Sequence, residues 1–247
     1  MDHARFSTIA HHDHIYCNPL DPAVLERVMD LLDLGPDQRV LDVGCGKGAL
    51  LVRLAERFGA SGTGLDINAA FLAEGRANAL RCRVASRVEL REQEASRLAA
   101  PPASFDVGLC IGSTHAFGSY RDALRELAAL VRPGGSVLIG EGYWKRDPDP
   151  EYLERLGATA DEMTTHEGMI AAGVAQGLEA RGAWVSGERD WDRYEDLYAR
   201  TVETYVSTHP DDPDGPAMGE RIRRWRETYL RWGRDTLGFG LYLFGRP

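Results

Sequence analysis

Between Arg39 and Leu51 the chain reads Arg-Val-Leu-Asp-Val-Gly-Cys-Gly-Lys-Gly-Ala-Leu-Leu, and few folds can house that run. Val40, Leu41 and Val43 form a short apolar stretch suited to a strand buried on both faces. Gly44, Gly46 and Gly48 then turn the chain, and Leu50, Leu51, Leu54, Ala55 and Phe58 begin a helical face at once. Strand, glycine turn and helix in direct succession open a doubly wound α/β sheet, where missing side chains let backbone approach a ligand. Asp66 ends the next strand, Gly62-Thr-Gly-Leu-Asp66, about 20 residues on, where such folds keep an acid for ribose hydroxyls.

The spacing Gly44-x-Gly46-x-x-Ala49 also fits a dinucleotide fingerprint, so the glycines alone do not choose the ligand. Asp42, two places before the first glycine, does. A carboxylate aimed into the loop repels a pyrophosphate and attracts a cation, which disfavours a nicotinamide dinucleotide. With these residues the sequence resembles the class I S-adenosylmethionine-dependent methyltransferases, whose first motif reads like Val40-Leu-Asp-Val-Gly-Cys-Gly-Lys-Gly48. The resemblance runs on through Leu65-Asp66-Ile67, Phe105-Asp-Val-Gly-Leu-Cys110 and Leu130-Val-Arg-Pro-Gly-Gly135 followed by a strand. It covers residues 36 to about 145 well and the rest loosely.

What the resemblance implies is a seven-stranded, mostly parallel, Rossmann-like sheet binding S-adenosylmethionine, a donor with an ammonium, a sulfonium and no phosphate. Asp42 falls near the donor's amino acid, Gly44 and Gly46 at close backbone approach, and Asp66 at the ribose hydroxyls. Glu94 matches a short acidic motif that contacts adenine, although the family more usually has Asp there. The expected cofactor set is Asp42, Gly44, Cys45, Gly46, Asp66, Ile67, Glu94, Ala95 and Cys110.

A chain of 247 residues is ordinary for one α/β domain with insertions. Its net charge of −9 disfavours a nucleic-acid partner. Cys17, Cys45, Cys82 and Cys110 are scattered without a CxxC pair, which reads as reduced thiols. No apolar run reaches membrane-spanning length and the N-terminus lacks a signal-peptide layout. A cytoplasmic enzyme is expected, with no membrane or nucleic-acid partner; a homodimer stays open.

Residues 1–35 are expected to form an N-terminal lid. Asp21-Pro22 caps a helix with Leu25, Val28, Met29 and Leu32 on one face, and Ser7 to Cys17 is a candidate cover. His11, His12, Asp13 and His14 are ligand-type residues, but four in a row cannot converge on one ion without strain, so no metal is expected. Residues 36–247 read as one domain. Its sixth strand is expected at Gly182–Arg189, followed by a helical cap at about 190–236 and a last, antiparallel strand, Leu237–Phe244. Met218, Ile222, Trp225, Tyr229 and Trp232 predict one continuous helical stripe.

In open α/β sheets ligands sit at the carboxyl ends of strands where strand order reverses. That places the loop Gly112-Ser-Thr-His-Ala-Phe-Gly118 and the mouth of the fifth strand, Glu141-Gly-Tyr-Trp144, around the acceptor. His115 is the candidate base, with Glu141 to orient it or hold a cationic acceptor. His14, Ser113, Tyr143, Trp144, Trp225 and Tyr229 are the candidate acceptor contacts. The expectation is methyl transfer to a nitrogen or oxygen of a small organic molecule. Cyclisation or elimination in the same pocket, or a non-catalytic binding protein of this fold, are the alternatives.

Overall fold

The computed structural model describes residues 2–247. The N-terminal segment holds α1 (His3–Ala10), capped by the Asp2 carboxylate, and α2 (Pro22–Asp30), capped by Asp21. The sheet region alternates β1 (Arg39–Val43), α3 (Ala49–Phe58), β2 (Ser61–Asp66), α4 (Ala69–Arg81), β3 (Val88–Glu92) and β4 (Phe105–Ile111). After α5 (Tyr120–Leu130) come β5 (Val131–Trp144), α6 (Pro150–Leu156), α7 (His166–Ala175) and β6 (Glu179–Val185). The chain closes with α8 (Glu188–Thr208), α9 (Gly215–Thr228), a π-helical turn over Tyr229–Gly233 and β7 (Leu237–Gly245).

Among the described residues the strands form one seven-stranded sheet in the order β3-β2-β1-β4-β5-β7-β6. The five neighbours from β3 to β5 pair in parallel, and β7 runs antiparallel to both β5 and β6. Order reverses between β1 and β4, so the crevice expected of this topology opens beyond Val43 and Ile111. Apolar side chains fill both faces. Val40, Leu51, Leu54, Leu72 and Leu109 lie in one cluster, and Leu41, Val43, Leu124, Ile139 and Tyr242 in the other.

Several boundaries differ from expectation. The sixth strand covers 179–185 rather than 182–189, because the Gly187 amide donates to Asp190 Oδ2 at 3.2 Å and α8 starts there. The fifth strand does not end at Gly140. It runs on to Trp144 because Glu141–Trp144 pair with Leu237–Gly240. Tyr143 and Trp144 are therefore strand residues pointing to opposite faces. The Tyr143 ring lies over Gly238, where a Cβ would come within 2.3 Å of it.

The helical stripe expected from Met218 to Trp232 is broken by the π-helical turn, which shifts the register of everything after Thr228. Met218 and Ile222 pack with Phe6, Ala10, Ala199 and Val202, tying α9 and α8 to α1. Tyr229 stacks on Trp191 instead, and Trp232 on Tyr152. The lid expected over 1–35, described from residue 2, thus contains a helix at its start that no sequence period announced. That helix is fastened to the expected cap.

Candidate active site

A cavity of about 810 Å³ opens at the carboxyl ends of β1, β2 and β4, roofed by α1 and the loop that follows it. Its inner wall is the glycine bend. Gly44 has φ +70°, and a Cβ there would lie 2.2 Å from that of Ser113, so only a bare backbone lets the β1 and β4 loops meet. The Gly44 and Cys45 amides both donate to the Leu65 carbonyl, at 2.8 and 3.0 Å.

Asp66 ties the bend to the next strand. Its Oδ2 accepts from the Gly46 amide at 2.7 Å and its Oδ1 from the Asn68 amide at 2.8 Å. A carboxylate has further lone pairs, so these bonds leave Asp66 able to accept from a ligand hydroxyl. Asp42 differs. Only 5% exposed, its carboxyl has no hydrogen-bond partner among the described residues. Burial first, then repulsion by Asp66, pushes its pKa up to about 7. An unpartnered acid at a cavity wall is costly unless a cation or donor meets it. A ligand with an ammonium and a sulfonium suits that demand.

The structure brings Asp42, Gly44, Cys45, Gly46, Asp66, Ile67, Glu94 and Ala95 together on this cavity, with Ser113 and His115 across from them. Ile67 is 72% exposed and offers an apolar side chain on the cavity lining. His115 is also exposed, on the short turn Thr114–Phe117.

Other expected site residues lie elsewhere. Cys110 points away, into the core beside Phe105 and Ile139, because strand alternation turns its neighbour Ile111 to the cavity instead. Glu141 does not reach the cavity or His115. Its Oε2 accepts from the Thr114 hydroxyl at 2.6 Å and the Thr114 amide at 3.3 Å, and its Oε1 from the Gly142 amide at 2.9 Å, so it braces the β4 loop from behind. Tyr143 packs near His166 over Gly238. Trp144 joins Tyr152 and Trp232 on the opposite face and donates from Nε1 to the Ala160 carbonyl at 2.8 Å. Tyr229 donates to Asp192 at 2.8 Å while stacked on Trp191. His14 is buried against Tyr194, with its Nε2 3.2 Å from the Tyr194 carbonyl oxygen. None of these four aromatic or imidazole rings lines the cavity.

Sequence reasoning missed two residues that the structure brings to the site. Lys47, buried inside the glycine bend, donates from Nζ to the His12 carbonyl at 2.6 Å and pairs with Glu74 at 3.0 Å, so it straps the lid loop to the bend. His11 lines the cavity from the lid side, and its buried Nδ1 has no partner. Burial, then the neighbouring His14 and Lys47, push its pKa down to about 3, so it is neutral at physiological pH. Its place in a crowded run of ligand-type residues hid it. No group of three metal-ligating side chains occurs among the described residues.

Residues 40–135 match a family model described as a methyltransferase domain. Over 245 residues the chain is 29% identical to YjhP of Escherichia coli K12, covering 98% of each. The crystal structure of YjhP superposes with a TM-score of 0.90 at 27% identity, over 98% of this chain and 100% of that one. A methyltransferase from Geobacter sulfurreducens, solved with S-adenosyl-L-homocysteine, gives a TM-score of 0.91 at 28% identity over 98% of both chains. The 27-O-demethylrifamycin SV methyltransferase of Amycolatopsis mediterranei is 31% identical over 129 residues, 52% of this chain. The match spans 47% of that relative, about half its length.

Proposed function

We propose that this chain, which belongs to the class I S-adenosylmethionine-dependent methyltransferases, methylates a nitrogen or oxygen of a small organic molecule. The observation that carries the donor site is Asp42, a buried carboxyl with no protein partner on a cavity wall. The relative named for 27-O-demethylrifamycin SV supports a small-molecule acceptor.

Asp42 and the bend from Gly44 to Gly46 would hold the donor's amino-acid end, Asp66 its ribose hydroxyls, and Ile67, Glu94 and Ala95 its adenine. When bound, S-adenosylmethionine supplies a methyl carbon that takes the acceptor's lone pair as the carbon–sulfur bond breaks and its electrons stay on sulfur. The protein's contribution is alignment and exclusion of water, and orientation alone can be worth up to about 7–11 kcal/mol. Residues 1–35 and about 190–236 serve as lid and cap, with Lys47 holding the lid loop down. His115 stands at the rim of the cavity, able to take the proton of a hydroxyl or amine acceptor. Glu141 fixes the loop that carries it.

The test is transfer of a labelled methyl group from S-adenosylmethionine to a panel of small phenols, carboxylic acids and amines. Labelled product from at least one class, lost in Asp42→Asn, supports the reading. Donor binding without transfer to any of them contradicts it.

A further inference from the structure

A second cavity, of about 610 Å³, lies between α1, α6, α8 and α9. His11 lines both cavities, so the two adjoin at that residue. The volume is that of a site for a small organic ligand.

Its inner surface is aromatic. The Tyr194 and Tyr198 rings stack at 6.4 Å and 16°, and His11 lies 4.9 Å from Tyr198. Trp225 borders the cavity and donates from Nε1 to Glu195 Oε2 at 2.6 Å. Glu195 is buried, and no described residue hydrogen-bonds its Oε1. Burial pushes the Glu195 pKa up to about 7, against the pull of the Trp225 N–H, so near neutral pH it is a hydrogen-bonding carboxyl as much as a charge.

The outer rim carries cations in excess. Glu220 lines the cavity too, but it is already paired at 2.6 Å with Arg223, which does not. Arg224 has no carboxylate partner among the described residues. Arg221 lies 4.5 Å over the Phe6 ring and meets only a ring nitrogen, His3 Nδ1, at 3.3 Å. In a chain of net charge −9, two guanidinium groups left without acids at a cavity mouth run against the bulk balance. Guanidinium is a planar fork that stacks on aromatic rings and binds anionic oxygens in pairs.

We propose that this second cavity is the acceptor chamber and takes a planar organic anion, its charged group at Arg221 and Arg224 and its ring among Tyr194, Tyr198 and Trp225. The nucleophilic hydroxyl or amino group then points toward His11, the residue common to the linings of both cavities, whose buried Nδ1 has no partner. The assignment rests on the methyl-transfer reading, because only that reading makes the shared residue a meeting point.

The experiment titrates three probes with the same ring system, naphthalene carboxylate, naphthylmethanol and naphthylmethylamine, into wild-type protein saturated with S-adenosylhomocysteine. Naphthalene carboxylate should bind about tenfold or more tightly than either of the others. In Arg224→Gln, and further in the Arg221→Gln/Arg224→Gln double variant, that advantage should fall by about tenfold while S-adenosylhomocysteine affinity stays within about threefold. Arg224 makes no ion pair, so the single variant folds even if loss of the Arg221–Phe6 contact unsettles the double one. Equal binding of the three probes, preference for the amine, or an advantage untouched by Arg224→Gln overturns the proposal. So does exclusion of the carboxylate by S-adenosylhomocysteine, which would put it in the first cavity. Failure of S-adenosylhomocysteine itself to bind would instead sink the methyl-transfer reading, and probe binding to the unsaturated protein would still report on the chamber.

Discussion

Asp66 Oδ2 lies 2.7 Å from the Gly46 nitrogen, so the acid at the end of one strand holds the bend that follows its neighbour. The same carboxylate raises the pKa of Asp42. One residue therefore shapes the donor cavity and makes it attractive to positive charge. Asp66→Ala should weaken S-adenosylhomocysteine binding by about tenfold or more, since charge-assisted bonds are worth ~1.5–3 kcal/mol. A calorimetric dissociation constant equal to that of wild type would remove Asp66 from the binding surface.

Asp42 sets a pH dependence whose sign is fixed. Its native carboxyl keeps a proton up to about pH 7, whereas an ordinary aspartate loses it near 3.8. The ligand-free native state then binds more protons than the unfolded chain between those values, so Asp42's contribution to stability falls as pH rises through that window and levels off above it. Asp42→Asn should flatten this slope and raise the ligand-free melting temperature at pH 8. Melting curves from pH 5 to 8 test it; a variant less stable than wild type at pH 8 would show that Asp42 has a partner after all.

Lys47 joins the glycine bend to the lid through the His12 carbonyl and Glu74. Lys47→Met keeps the buried stem and removes the donor. Amide exchange in α1 should then quicken by about tenfold or more relative to β1, as expected when a local opening loses its fastening. Uniform protection in both segments would mean that the other contacts of α1, among them the Arg5 pairs with Asp212 and Asp214 and the packing of Phe6 and Ala10, hold the lid without Lys47.

Trp144 lies 6% exposed against Tyr152 and Trp232 and is not part of the donor cavity lining. Trp144→Ala should cost ~3–5 kcal/mol of stability. Donor affinity in the folded variant should be unchanged. A large loss of affinity without loss of stability would return Trp144 to the site.

The parts of this protein that the sequence made legible are those whose cause is local. The bend from Gly44 to Gly48 is written in consecutive residues, and Asp42 and Asp66 sit at strand ends that the apolar runs already mark. Tyr143 and Trp144 were misread because only pairing with β7, about a hundred residues later, carries β5 past Gly140. The first helix was hidden for a similar reason. It buries just Phe6 and Ala10, and their partners Ala199, Val202, Met218 and Ile222 lie at the far end of the chain. Trp225 was separated from Tyr229 by a π-helical turn that no spacing rule foresees. Glu195 and the arginine rim became visible only once α1, α8 and α9 were packed together.

The most direct measurement is a calorimetric titration at pH 8 of S-adenosylmethionine, and separately of NAD, into wild-type protein and Asp42→Asn. Wild type should bind S-adenosylmethionine and give no heat with NAD, and the substitution should weaken S-adenosylmethionine binding by about tenfold or more. Binding of NAD, or an affinity for S-adenosylmethionine that Asp42→Asn leaves intact, would contradict a cavity built around a positively charged donor.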